Sequence, residues 1–134
     1  MEAGENVLRL FPEQLRFRWR QVAREEARLQ EIRLRAQRPV LIYAGNSEWY
    51  LEETGALTKD AVRAYVLEKE ELGQIVRHIC RYSLYAYEEE LRKGYVSADG
   101  GFRVGVAGEV ILHPDQTVKN IRCISSINIR IAHE

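Results

Sequence analysis

Five arginines interrupt otherwise apolar, alternating segments of this sequence: Arg33, Arg35, Arg103, Arg122 and Arg130. A guanidinium stays charged at any physiological pH and binds carboxylate or phosphate through a planar fork of donors. The plain reading of such residues is an outward-facing strand surface. The alternative is that some of them point into an interface where anionic groups sit.

The other reactive residue types do not assemble into a catalytic set. No G-x-x-x-x-G-K-[ST] phosphate loop occurs, and the glycine-rich run from Gly100 to Gly108 alternates like a strand without a helix after it. It reads as a glycine-bearing hairpin, not a dinucleotide fingerprint. His78, His113 and His133 are scattered, with no pair at metal-ligand spacing, and His78 reads as a boundary residue of its helix. Ser125-Ser126 lacks the context of a nucleophile elbow. Glu88-Glu89-Glu90, with Arg92 and Lys93 nearby, reads as a solvated helix face.

The elements that must position the arginines follow from periodicity. Leu8, Phe11, Leu15, Trp19 and Val22 recur every three or four residues, which predicts a leading helix within residues 1–28. Pro12 suits its first turn. Arg16, Arg18, Arg20, Arg24 and Arg28 are expected on its solvated face. From Glu31 the period becomes two, giving a half-buried strand to Arg35. Val40 to Ala44, a Gly45-Asn46 turn and Glu48 to Glu52 continue it as a β-meander, and Ala64 to Leu67 is a further candidate strand. Leu72, Ile75, Val76, Ile79 and Cys80 place a helix against a sheet. Tyr82 to Lys93 predicts a second one, ended by Gly94. Strands then follow around Phe102–Val106 and Val110–Leu112, with turns expected at Asp99-Gly100-Gly101, Gly108 and Pro114-Asp115. The last two run from Val118 to Ile124 and through Ile127, Ile129 and Ile131.

The 134 residues suit one domain, with 46% apolar and 30% charged residues. Twenty basic residues balance twenty acidic ones, which argues against a protein built mainly to coat nucleic acid. Cys80 and Cys123 read as two buried thiols in a reducing cytoplasm. No apolar run approaches the length of a membrane span, and Met1 to Arg9 lacks a signal core.

Four segments in register carry a resemblance: Glu31–Pro39 (EIRLRAQRP), Ser83–Tyr95 (SLYAYEEELRKGY), Gly100–Gly108 (GGFRVGVAG) and Ile124–Ala132 (ISSINIRIA). Together they resemble the amino-terminal domain of the stage III sporulation protein AA family, bacterial ATPases similar to secretion and pilus-retraction motors. The resemblance covers the chain from about Glu31 onward, and the leading helix fits more loosely. Phe102 stands where many members are expected to have histidine, a departure that bears on packing.

The resemblance implies an α+β fold, a PAS-like module with a mixed, mainly antiparallel sheet packed by helices, residues 31–134 holding the sheet and two helices. It implies a chain cut ahead of a RecA-like domain that carries the phosphate loop, so this chain would hydrolyse no ATP by itself. No cofactor is expected here, and ATP and magnesium are expected for the full-length protein. The implied partners are the carboxy-terminal ATPase domain, neighbouring subunits of a hexamer, and membrane-embedded sporulation channel subunits. The implied location is the cytoplasmic, mother-cell side of the forespore membrane. Arg103 and Arg130, then Arg122, are the residues that would reach nucleotide across a subunit interface. Arg33, Arg35, Tyr85, Tyr87 and Arg92 are further interface candidates. Two other readings compete: a nucleic-acid module stacking bases on Tyr82, Tyr85, Tyr87 and Tyr95 beside the arginines, and a small-ligand sensor with an enclosed cavity.

Overall fold

The alternation that begins near Glu31 becomes strand β1 (Leu29–Arg35), with Leu29, Ile32 and Leu34 buried. A bulge between Leu29 and Glu31 inserts Gln30, which lets an odd and an even residue face the same core. The chain then meanders through β2 (Leu41–Ala44), β3 (Ser47–Leu51) and a short β4 (Leu57–Thr58). Gly45 and Asn46 both have φ near 60°, as a two-residue hairpin turn demands. The computed structural model describes residues 4–79, 95–98, 102–112 and 118–131, with side chains at 4–79, 102–108 and 124–131. The helix expected at Tyr82–Lys93, and the turns at residues 99–101 and 113–117, lie outside the described residues.

Strands β5 (Tyr95–Ala98), β6 (Phe102–Leu112) and β7 (Val118–Ile131) form a second meander. The two meanders join where β7 lies beside β1, giving one seven-stranded sheet in the order β4-β3-β2-β1-β7-β6-β5. Every described strand pairing is antiparallel, so the sheet is not mixed.

Helices pack on one face of it. They are α1 (Glu5–Leu8), α2 (Arg16–Arg24) and α3 (Lys69–Ile79). Trp19 and Val22 of α2, and Leu72, Ile75, Val76 and Ile79 of α3, share one core with Ile32, Leu34, Ile42, Val104, Ile127 and Ile129. Each such side chain contributes about 1.5–3 kcal/mol by leaving water. Phe11 and Trp19 stack with ring centroids 4.0 Å apart.

Several expectations are corrected. The leading helix is broken: α1 stops at Leu8, and Pro12, in an extended conformation with ψ 148°, precedes a 3-10 turn at Glu13–Leu15. The apolar stripe is still buried from Phe11 to Val22, because both pieces lie on the same core. Ala64–Leu67 is not a strand. The segment folds back on the meander, with Tyr65 N–H donating to Leu51 and Leu67 N–H to Arg38, and makes a single bridge from Val66 to Pro39. Gly108 does not turn the chain; it sits inside β6, at a register irregularity that the ladder absorbs. The two final strands are one, β7.

Candidate functional site

The bulge in β1 also decides where its charged residues go. With Ile32 and Leu34 in the core, Glu31, Arg33 and Arg35 share the opposite face. The register carries that face across the sheet in three rows. Glu31 is level with Arg130, and Arg130 with Arg103. Arg33 is level with Asn128, then Gly105; Arg35 is level with Ser126, then Ala107. Four of the five strand arginines therefore meet on one surface, over a floor of small residues.

Glu31 organises the surface. Its Oε2 accepts from Arg33 Nε at 2.8 Å, and its Oε1 accepts from Arg130 Nε at 3.2 Å and from Asn128 Nδ2 at 3.3 Å. The Glu31 side chain is only 14% exposed, whereas that of Arg130 is 68% exposed. Arg33 also lies over the Tyr43 ring, 5.1 Å from its centroid. Arg35 Nε and Asn128 Oδ1 are enclosed without a hydrogen-bond partner among the described residues. Arg103 is exposed beside Arg130.

The remaining candidates fall elsewhere. Arg122 is on β7 level with Glu109, beyond the two register irregularities at Gly108, and its side chain lies outside the described residues. Tyr85, Tyr87 and Arg92 lie outside them too. His78 is a boundary residue as expected, its Nε2 2.9 Å from the Arg9 carbonyl. Ser125 Oγ donates to the Ala107 carbonyl at 3.3 Å. Sequence reasoning passed over Glu31 and Asn128. The available signal was parity: each stands two residues from an arginine on its own strand.

A second polar centre lies in the helix layer, and it overturns the solvated placement of Arg18. That residue is 6% exposed. Its Nη1 reaches both oxygens of Glu71, at 3.1 and 2.9 Å, and its Nε donates to the Glu53 carbonyl at 3.0 Å. Its guanidinium also covers the Tyr65 ring, and the Tyr65 hydroxyl donates to Glu71 Oε1 at 2.8 Å. Burial, then the hydrogen bond to Glu71, pushes the Tyr65 hydroxyl up to about 12. This cluster joins two helices and two connecting segments with its bonding groups satisfied, the arrangement of a structural clamp.

Among the described residues, no group of histidine, cysteine or carboxylate side chains could hold a metal ion, and no helix is long and apolar enough to cross a membrane. The sequence profile of the family "Sporulation stage III, protein AA" matches residues 1–134. The chain belongs to the stage III sporulation protein AA family. A curated relative, stage III sporulation protein AA of Bacillus subtilis (strain 168), is 36% identical over 133 residues. That alignment covers 99% of this chain and 36% of the relative, so the chain spans little more than a third of the relative's length. No solved structure matches.

Proposed function

We propose that this chain is the amino-terminal regulatory and assembly domain of a sporulation ATPase. In this reading the hydrolytic phosphate loop lies in another segment of the full-length protein, which binds ATP and magnesium. The assembly is a hexameric ring on the mother-cell side of the forespore membrane, working with membrane-embedded channel subunits. Family membership supports the sporulation role. The first and last strands pair at the middle of an antiparallel sheet, with helix α3 between the two meanders, an arrangement compatible with a PAS-like module.

The observation that carries the proposal is the placement of Arg103 directly opposite Arg130 on neighbouring strands. The two guanidinium groups share one row of the sheet, and Arg130 is held there by Glu31. A polyphosphate seated over both meets the bidentate geometry that guanidinium groups favour. An arginine brought to ATP from a neighbouring domain ties phosphate charge to domain position, and the attraction falls when the γ-phosphate leaves. In the full-length protein, Arg103→Ala and the double Arg103→Ala, Arg130→Ala variant are expected to lower ATP turnover at least tenfold, roughly, or to weaken the ring. Turnover assays and sedimentation check this; both properties unchanged in the double variant overturn the proposal.

A further inference from the structure

We infer that Glu31 is the positioning residue of a polyphosphate site on the arginine face, holding Arg33 and Arg130 so that their terminal nitrogens point outward. This inference rests on the anion-binding reading of Arg103 and Arg130 and adds the device that sets their geometry. Both arginines meet Glu31 through Nε, at 2.8 and 3.2 Å. An arginine bonded at Nε has its two terminal amino groups left over for a bidentate contact with phosphate. Glu31 is itself fixed. It is largely enclosed, and Asn128 Nδ2 bonds the same oxygen that accepts from Arg130. Arg33 is further held over the Tyr43 ring.

Two effects of the Glu31 carboxylate oppose each other. Its negative charge repels an incoming anion, but an anion on the terminal nitrogens sits on the solvent side, a guanidinium's width from the enclosed carboxylate, where distance and water weaken that repulsion. Its hydrogen bonds remove the rotational freedom of two long side chains before the anion arrives, a saving that applies to each arginine separately. Ordering two arginines outweighs one screened repulsion, so Glu31 favours the anion although it carries the wrong charge. The ligand class is a chain of phosphates, which can meet Arg33 and Arg130 together because one carboxylate holds both.

The test is titration of this chain with inorganic tripolyphosphate at physiological salt, followed by calorimetry, with thermal melts confirming the fold of each variant. Glu31→Ala is expected to weaken binding about fivefold, against the direction that simple removal of a negative charge predicts. Glu31→Gln retains an acceptor oxygen and is expected to fall between that variant and the parent. Arg130→Ala and Arg103→Ala each weaken binding. If both glutamate variants bind more tightly, Glu31 competes with the anion and the positioning role is overturned while the site stands. If binding is unaffected by either arginine variant, the anion site itself is lost, and with it the reading beneath this one.

Discussion

The guanidinium carbon of Arg18 lies 3.9 Å from the centroid of the Tyr65 ring, and the two side chains converge on one carboxylate, that of Glu71. The pairing ties α2 to α3 across 53 residues of sequence. It uses a charge in the helix layer where an apolar residue would have been the simpler choice.

Removing one partner of such a pair leaves the other charged and buried. Glu71→Ala is expected to destabilise the fold by about 3–5 kcal/mol, measured as a shift in the urea midpoint. Replacing Arg18 and Glu71 together by methionine and leucine is expected to restore much of that loss, because no buried charge then remains. A double variant as unstable as the single one would mean that the cluster's packing matters more than its charge.

Tyr65 gives the cluster a pH signature. Its hydroxyl ionises near 10 when unfolded and at about 12 in the fold. Between those values the unfolded chain has lost the proton and the native chain has kept it, so stability falls as pH rises. Tyr65→Phe is expected to flatten this part of the profile relative to the parent. Denaturant melts of both proteins from pH 8 to 11.5 make the comparison.

Gly55 sits against the same cluster, with φ +98° and a hypothetical Cβ only 2.6 Å from the Arg18 carbonyl oxygen. That oxygen belongs to backbone and has little room to retreat. Gly55→Ala therefore combines a left-handed backbone with a main-chain clash and is expected to cost roughly 3 kcal/mol or more. A thermal melt within a degree of the parent would show that the loop can move away from α2.

The two faces of the sheet are expected to respond differently at adjacent positions. Ile129 is fully buried and Arg130 is mostly exposed. Ile129→Ala should cost about 2–5 kcal/mol, whereas Arg130→Ala gives up an exposed ion pair worth about 1 kcal/mol or less. Urea unfolding of the two variants tests the assignment of the faces without reference to any ligand.

Local pattern made much of this architecture legible. The Gly45-Asn46 turn and its flanking alternation define β2 and β3, and the stripe from Leu72 to Ile79 defines α3. What escaped depended on distant partners. Arg18 lies in a run of alternating arginines that looks solvated, and its burial depends on Glu71, Tyr65 and the Glu53 carbonyl, all distant in the chain. Leu57–Thr58 is too short to carry a period of its own. Parity alone puts Arg33 and Arg35 on one face. That Arg103 and Arg130 join them follows from the β6–β7 and β1–β7 registers, which only the assembled sheet contains. Glu31 looked like one polar residue in an alternating strand until the fold placed Arg130 beside it.

The seam between β1 and β7 has a kinetic consequence. Each meander is assembled from near neighbours in the chain, while Glu31 and Arg130 meet across a separation of 99 residues. Closing so long a loop costs entropy before any contact repays it. Pairing β1 with β7, which joins the two halves of the sheet, is therefore the step with the largest loop-closure cost. The arginine face, with residues drawn from both halves, comes into being only at that step.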